Sequence, residues 1–228
     1  MDTIEISAPT VQQHNAQVAR EAEIVREVDR LLRLRLFPSE RVWVDVRFDY
    51  GMAEHSASKI SLMQINGEVH GTAEIRFQGL FLWQDFPTFF NEVIPHELAH
   101  VLAEVRGAER GIAVEKGHGD EWVELVLDIN PDAEPAAKVK GSFDDRPIKL
   151  HKGGISCECD CDGLAAFVVV ANTPSTVMKL KNEDLCCSEC HSAYRRIQKD
   201  QWPVEIVSAL KFYESVMAVK AYNAPLSR

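Results

Sequence analysis

The sequence predicts an α+β domain followed by a small cysteine-rich module. The first 130 or so residues combine a long amphipathic helical pattern with short alternating segments, which together are typical of helices packed on a small antiparallel sheet. The pattern His-Glu-x-x-His occurs at His96, Glu97 and His100 within an apolar helical segment. All six cysteines fall between Cys157 and Cys190. These three observations predict two regions with different chemistry.

The composition is that of a globular protein with an uneven charge. The chain has 228 residues, 46% of them hydrophobic, which is enough to bury a sizeable core. Residues 1–130 carry 12 basic against 22 acidic side chains, whereas residues 131–228 carry 13 of each. Clustered Lys and Arg are needed to displace counterions from nucleic-acid phosphates. The acidity of the first half therefore argues against broad nucleic-acid binding there, and any DNA contact is expected from the second half.

The sequence contains no pattern typical of a membrane segment. The first thirty residues are polar and charged, and the longest unbroken apolar run is "LAAFVVVA" at 164–171. We therefore expect a soluble, intracellular protein with no membrane contact, located in the cytoplasm, or with the nucleoid or nucleus if it associates with DNA. The sequence does not indicate an oligomeric state.

The predicted elements of the first domain follow in chain order. Apolar residues recur every three or four positions over 11–36, which predicts a long helix. Alternating residues predict strands at 41–50 and 71–80, with a weaker candidate at 57–65 between them. Short connections between these segments predict a small antiparallel sheet.

The helix that carries His96 is predicted to start near Pro87 and to end at Gly107. Pro95 lacks a backbone donor and would crowd the carbonyl of Asn91, so the helix is expected either to kink there or to begin there. A further helix is predicted over 119–130. The domain prediction is thus 10–132, followed by a linker over 133–146 that is rich in Pro, Ala, Gly and charge.

Residues four apart on a helix share a face, so His96 and His100 can bind one metal ion while Glu97 lies beside it as a general base. A catalytic zinc needs a third protein ligand and an open position. His118 is a candidate, and Glu115, Glu121 and Glu124 are rivals from the residues alone. The alternative is that the two histidines only cover one face of an amphipathic helix.

"EVIPHELAHVL" followed by "GHGDEW" resembles the SprT-like family, and "GTAEIRF" resembles the strand that precedes the helix in that family. The likeness spans roughly residues 15–197. It implies a zincin-like metallopeptidase domain in which His96, His100 and His118 bind a catalytic Zn²⁺ and Glu97 is the general base. It also implies a protein substrate, one bound or crosslinked to DNA among the options.

The cysteines predict a structural zinc site in a ribbon over 147–197. "CECDC" and "CCSEC" offer a C-x-C pair and a C-x2-C pair, and four thiolates close a tetrahedral zinc site. The first pair is either Cys157 with Cys159 or Cys159 with Cys161. The resemblance favours the set Cys157, Cys159, Cys187 and Cys190. Other residues in reach are Cys161, Cys186 and His191, and the alternative reading is a redox pair or free thiols.

Basic and aromatic residues flank the cysteines, and a helix is predicted over 198–228. Lys179, Lys181, Arg195, Arg196 and Lys199, with Tyr194 and Trp202, could form a surface for single-stranded DNA or an ordinary mixed-charge surface. The combined prediction is a zinc endopeptidase with one catalytic and one structural Zn²⁺. The rival from another class is a noncatalytic, zinc-stabilised module that binds nucleic acid or protein.

Overall fold

The computed structural model describes residues 11–52, 56–112, 117–136 and 144–223. Its contacts divide the chain into two compact units, one of Asn15–Phe143 and one of Asp144–Arg228 together with Met1–His14. The division falls inside the predicted 133–146 linker, of which residues 137–143 lie outside the described part. Among the described helices, none has the length and apolar character needed to cross a membrane.

Helix α1 (Val11–Arg35) is long and amphipathic, and from Asn15 on it belongs to the first unit. Its inner face buries Ile24, Val28, Leu31 and Leu32, which follow the predicted spacing of three or four residues. Arg35, in its last turn, donates to the Asp128 carboxylate at 2.8 Å. The predicted first helix is confirmed to within one residue at its C-terminal end.

The sheet of the first unit is mixed rather than antiparallel as predicted. It contains β1 (Glu40–Phe48), β2 (Ser56–Ile65) and β3 (Glu68–Phe77) in the order β1-β3-β2. Strands β2 and β3 form an antiparallel hairpin, in which Asn66 and Gly67 have φ of 52° and 83° and suit a two-residue turn. Strand β1 lies at the other edge of β3 and runs parallel to it. The alternating sequence pattern predicts strands but not their order, so it does not show that β3 lies between β1 and β2.

Strand β3 is the centre of the sheet and supplies its buried face. Val69, Ala73, Ile75 and Phe77 are all buried, in the alternation expected of a strand with one face on a core. Glu68 begins this strand, three residues before the predicted start. Strand β2, predicted only weakly, is a full ten-residue edge strand.

Gly79 follows β3 and allows a close approach of an aromatic ring. A Cβ at this position would lie 2.2 Å from the ring of Tyr50, which is itself 2% exposed. The Tyr50 hydroxyl donates to the Glu21 carboxylate at 2.7 Å, which fastens the end of the first strand to α1. Helix α2 then spans Gly79–Gln84, and the short helical turn α3 spans Phe86–Thr88.

The helix around Pro95 begins with a π-helical turn. Phe89–Val93 is π-helical, and helix α4 follows at Ile94–Arg110 with Pro95 in its first turn. Pro95 cannot donate to the carbonyl of Asn91, and the side-chain amide of Asn130 donates to that carbonyl instead, at 2.8 Å. Helix α4 continues past the predicted stop at Gly107 and ends at Gly111, whose φ of 66° favours glycine.

Helix α5 (Asp120–Ile129) packs on α4 and completes the first unit. Trp122 and Val126 are buried against Ala99 of α4. At the other end of α4, Arg106 forms a buried ion pair with Glu40 at the start of β1, so α4 is fastened to the sheet as well. Helix α4 is thereby held on two sides.

The second unit is built on a small antiparallel sheet with helices. Its elements are α6 (Arg146–His151), β4 (Ile155–Glu158), a 3₁₀ turn (Gly163–Ala166), β5 (Phe167–Val170), α7 (Pro174–Lys181), β6 (Arg195–Arg196), a second 3₁₀ turn (Lys199–Gln201) and α8 (Val204–Asn223). The strand order is β5-β4-β6. Two α+β units with small sheets agree with the predicted fold class.

The predicted C-terminal helix is part of the core of this second unit. Helix α8 buries Ile206 and Leu210 in one cluster with Leu150, Phe167 and Val169. It starts at Val204 rather than at residue 198, and residues 224–228 lie outside the described part. The stretch between the two cysteine patterns, which we expected to form a hairpin, contains β5 and then helix α7.

Candidate active site and metal centres

The three predicted histidine ligands lie together in the first unit. His96 and His100 are one turn apart on α4, and His118 lies two residues before α5. Their Nδ1 or Nε2 ligand atoms all lie within 4.8 Å of one another. The three ring centroids form a triangle with sides of 5.0 Å. The histidines thus converge from two elements on one point.

The spacing of the ring nitrogens suits a tetrahedral metal ion. Nε2 of His96 lies 3.3 Å from Nε2 of His100 and 3.3 Å from Nε2 of His118. Two nitrogens bound tetrahedrally at about 2.05 Å from a zinc ion would lie about 3.3 Å apart. A fully protonated trio at these distances would be repulsive, so the arrangement fits neutral imidazoles that share a cation. These histidines could therefore hold a metal.

The surroundings of His100 favour its neutral, metal-binding form. Burial lowers the pKa of His100 to about 4, and the nearby His118 acts in the same direction. A neutral imidazole keeps a lone pair for a metal ion over the whole physiological pH range.

Trp122 organises the group of histidines. The indole is 2% exposed, and its ring centroid lies 4.9 Å from that of His96, 5.5 Å from His100 and 4.5 Å from His118. Its Nε1 donates to the backbone carbonyl of His96 at 3.3 Å. The first turn of α5 therefore packs directly against all three candidate ligands, and this fixes His118 next to α4.

Glu97 is buried beside the histidines and is held through one oxygen. Its Oε1 accepts a hydrogen bond of 2.6 Å from the Ser56 hydroxyl at the start of β2. Glu97 is only 5% exposed. Its Oε2 has no hydrogen-bond partner among the described residues. Burial raises the pKa of Glu97, while the hydrogen bond from Ser56 lowers it and the nearby Ser58 hydroxyl acts in the same direction. The environment suits a carboxylate that exchanges a proton.

A cleft of about 560 Å³ opens beside the histidines. One wall is the edge strand β2, another is α4, and the third is the start of α5. Its lining residues are Ser58, Ile60, His100, Ala103, Glu104, Gly117, Gly119, Asp120, Glu121 and Trp122. The volume is that of an ordinary ligand pocket, and His100 is the candidate ligand that lines it.

Among the described residues, no carboxylate that competed with His118 in the sequence joins the group of candidate ligands. Glu121 is engaged by Arg110, whose Nη2 lies 2.6 Å from each carboxylate oxygen. Glu124 is exposed on α5, and Glu115 lies outside the described residues. Among the described residues, the histidine group contains His96, His100 and His118 alone.

Four cysteines form a second candidate metal group, in the second unit. The thiols of Cys159, Cys161, Cys187 and Cys190 lie within 4.8 Å of one another. The Sγ atoms of Cys161 and Cys187 are 3.7 Å apart. Sulfurs bound tetrahedrally at about 2.3 Å from zinc would lie about 3.8 Å apart, so this spacing also suits a metal ion.

The structure groups Cys161, and not Cys157, with the other three cysteines. Cys157 is fully buried in β4, where its Sγ lies 3.9 Å from the carbonyl oxygen of Ile155. Strand alternation turns residue 157 to the same side as 159, but Cys159 lies beyond the end of β4, where the chain turns. Cys186 is exposed, and His191 is exposed with a φ of 59°. Neither belongs to the group.

The surroundings of Cys187 and Cys190 favour their thiolate forms. A hydrogen bond with the Ser192 hydroxyl, whose oxygen is 3.1 Å from Sγ, is the main cause that lowers the pKa of Cys190 to about 6. Backbone N–H groups of Cys190 and Glu189 lower the pKa of Cys187. In contrast, burial raises the pKa of Cys159. Thiolates are the form that binds metal, and the C-x2-C turn supplies the donors that stabilise them.

The basic and aromatic residues near the cysteines are partly engaged within the unit. Arg195 pairs with Glu158 at 3.3 Å and with Asp160 at 2.8 Å. Trp202 packs on Phe167 with ring centroids 6.3 Å apart. Burial raises the pKa of Tyr194 to about 12, with a further contribution from Cys187. Arg196, Lys179, Lys181 and Lys199 are exposed.

Sequence reasoning missed Ser56, Asn130 and the contacts of Trp122. Ser58 lay in the weak strand prediction, and period-two alternation would have placed Ser56 on the same face, but the partner Glu97 is 41 residues away. Trp122 was predicted as an apolar position of a helix and as the end of the motif "GHGDEW", without contacts to the histidines. Pro95 did signal an unsatisfied carbonyl at Asn91, although nothing in the sequence pointed to Asn130 as its donor.

Comparison with known proteins gives one informative similarity. The chain is 29% identical over 87 residues to Protein SprT of Pasteurella multocida (strain Pm70), a match covering 38% of this chain and 47% of that protein. The chain thus spans about half the length of the curated relative it matches. No protein-family model and no solved structure matches the chain. The similarity is distant and partial, and it agrees with the resemblance to the SprT-like family that the sequence motifs indicated.

Proposed function

We propose that the first unit is a zinc-dependent endopeptidase. The observation that carries the proposal is the convergence of His96, His100 and His118 beside a buried Glu97 at the edge of an open cleft. Three protein ligands with an open fourth position are typical of catalytic zinc, and the neighbouring carboxylate is the group such a site uses as a base. The likeness to Protein SprT points in the same direction.

Zinc, when bound by the three histidines, would supply a Lewis acid that makes water a stronger acid at neutral pH. The chain's own residues would do the rest. Glu97 would take a proton from the attacking water on Oε2 and return it to the leaving nitrogen of the cleaved peptide bond. A neutral imidazole at His100 would keep its lone pair for the metal, and Trp122 would hold the three rings in place.

The cleft supports a polypeptide as the substrate. Ser58 and Ile60 line it from β2, whose outer edge has no partner strand among the described residues. An extended peptide can pair with the backbone of such an edge. This geometry would lay a peptide bond along the wall that faces His100.

For the second unit we propose one structural zinc ion bound by Cys159, Cys161, Cys187 and Cys190. Four thiolates fill a tetrahedral zinc site and leave no position for water, so this metal would stabilise the fold without chemistry. Cys157 was part of the set that the family resemblance favoured. In the proposal it is a buried side chain of β4.

The proposal that the substrate is bound or crosslinked to DNA comes from the family resemblance, and the exposed cations of the second unit are the residues that could recruit DNA. Arg196, Lys179, Lys181 and Lys199 remain exposed, while Arg195 is paired with acids and Trp202 packs on Phe167. DNA recruitment would therefore depend mainly on charge and would weaken as salt increases.

The test is cleavage of denatured casein by the zinc-loaded chain, with and without single-stranded DNA, beside the variant Glu97→Gln. Glutamine preserves the shape of the side chain but cannot take the proton. We expect the rate to fall at least about 100-fold, since a general base contributes about 10²–10⁴-fold. Zinc content measured by mass spectrometry should stay the same.

Two outcomes would contradict the proposal. Cleavage unchanged by Glu97→Gln would exclude this carboxylate as the base. No cleavage of casein, or of a DNA-bound protein, by the unaltered zinc-loaded chain would favour the noncatalytic binding module, in which the histidine metal only stabilises the fold.

A further inference from the structure

Ser56 and Glu97 come from distant parts of the chain and meet in the interior of the first unit. Ser56 is the first residue of the edge strand β2, and Glu97 is in the first turn of α4. The Ser56 Oγ lies 2.6 Å from Glu97 Oε1. A hydroxyl donating to a carboxylate at this distance is a short, charge-assisted hydrogen bond, of the strong kind.

The two oxygens of Glu97 have different surroundings. Oε1 accepts from Ser56, whereas Oε2 is buried and has no hydrogen-bond partner among the described residues. A buried carboxylate oxygen normally has a partner, because leaving it without one costs free energy. Among the described residues, one oxygen is thus held by a hydroxyl, and the other has no hydrogen-bond partner.

We propose that Ser56 is a positioning residue for Glu97. The Ser56 hydroxyl fixes the rotation of the carboxylate by holding Oε1, and this leaves Oε2 as the oxygen that exchanges the proton with water and with the leaving nitrogen. The inference rests on the proposed function, since it assigns a role within the same reaction. Ser56 does not touch the substrate or the reacting atoms.

The position of Ser56 also joins the base to a wall of the cleft. Ser58 lies two residues along β2, on the same face, and lines the cleft together with Ile60. Strand β2, which lines the cleft, therefore also carries at its first residue the hydroxyl that donates to Glu97. Distortion of β2 would reach Glu97 through Ser56 without any contact with the metal ligands.

The experiment compares Ser56→Ala, Ser56→Thr and Ser61→Ala with the unaltered zinc-loaded chain on casein. Threonine keeps a hydroxyl at residue 56. Ser61 lies on the same strand with the opposite parity and is exposed, so its variant is the matched control for replacing a serine of β2. Steady-state kcat and KM, zinc content and thermal unfolding are measured for each.

We expect Ser56→Ala to lower kcat by about tenfold to a hundredfold, which is the range for losing a hydrogen bond to a charged group. KM should stay within about twofold, because the substrate keeps its contacts. Zinc content should match that of Ser61→Ala, whereas the unfolding temperature should be lower, because Ser56→Ala leaves Oε1 of a buried carboxylate without its partner. Ser56→Thr should recover most of kcat, which a purely structural role of residue 56 would not require.

The outcomes separate this inference from the proposed function. If Glu97→Gln is inactive while Ser56→Ala has the kcat of the unaltered chain, the positioning role is wrong and the endopeptidase proposal stands. If Ser56→Ala loses kcat, zinc and stability together and Ser56→Thr recovers none of them, residue 56 serves the fold only. If the unaltered chain cleaves nothing, the proposed function is wrong, and the positioning role of Ser56 is wrong as well.

Discussion

The two units hold candidate metal groups of opposite character. In the first unit, three imidazoles meet at the edge of a cleft, and their residues grade from partly buried His96 and His100 to exposed His118. In the second unit, four thiols come from two short turns, with Cys159 and Cys187 buried. Three ligands beside open space leave a coordination position for chemistry, whereas four thiols close the metal. The number of ligands and their exposure distinguish a site for reaction from a site for folding.

Removing one ligand from each group is the strongest test of this difference between the two metal groups. We expect Cys190→Ser to unfold the second unit, because a structural zinc contributes about 10–16 kcal/mol of apparent free energy, more than the net stability of most domains. We expect His118→Ala to leave the first unit folded but to weaken its zinc affinity by at least about 100-fold, since even losing an outer-shell partner costs about 10–100-fold.

Circular dichroism, limited proteolysis and zinc titration of both variants measure these effects. Glu124→Ala is the matched control for His118→Ala, because Glu124 was a rival ligand and is exposed on α5. A His118→Ala protein that keeps full zinc affinity would require a different third ligand. A Cys190→Ser protein with a protease-resistant second unit would show that its metal is dispensable for folding.

A smaller effect is expected from the choice between Cys157 and Cys161 as a metal ligand of the second unit. We expect Cys161→Ser to lose the second zinc ion, whereas Cys157→Ser should keep it and lower the free energy of unfolding by about 1–3 kcal/mol, since it introduces a hydroxyl in a buried strand. Zinc content and chemical denaturation separate these outcomes. Zinc lost from Cys157→Ser and retained by Cys161→Ser would restore the set that the resemblance favoured.

Local spacing explains how much of each group the sequence could predict. His96, Glu97 and His100 lie within five residues of one helix, so helical geometry alone brings them together. His118 needed the family resemblance, because no local rule decides which loop residue reaches α4. The choice between Cys157 and Cys161 depends on where β4 ends, and strand ends are the least predictable feature of a sequence.

The mixed sheet and the role of Ser56 could not be predicted for a related reason. Both depend on the neighbours of β2 and β3 in space, and alternation reports only which face of a strand is buried. The long helix α1 needed no such information, because its pattern repeats over many turns. The predicted domain limits and the assignment of site roles remain predictions.

The weakest effect is expected at the contact that joins the π-helical turn before α4 to the end of α5. Asn130 donates to the Asn91 carbonyl that Pro95 leaves without a helical donor, and its Oδ1 accepts from the backbone N–H of Asp132 at 3.2 Å. Asn130→Asp keeps the acceptor and loses the donor. We expect it to lower the free energy of unfolding of the first unit by about 0.5–1.5 kcal/mol, as for one exposed hydrogen bond.

Chemical denaturation of Asn130→Asp and Asn130→Ala measures this effect. A stability equal to that of the unaltered chain for Asn130→Asp would mean that water satisfies the Asn91 carbonyl as well as Asn130 does. A loss confined to Asn130→Ala would assign the effect to the acceptor instead.

The close approach of Tyr50 to Gly79 limits the order in which mutations can accumulate. With a ring 2.2 Å from where a Cβ would stand, alanine at residue 79 is compatible only with a smaller residue at 50, and that change gives up the hydroxyl that reaches Glu21. Each single step toward another pairing therefore passes through a less stable protein. In a library that varies both positions at once, the tolerated pairs should be correlated, whereas libraries that vary one position at a time should return the original residues.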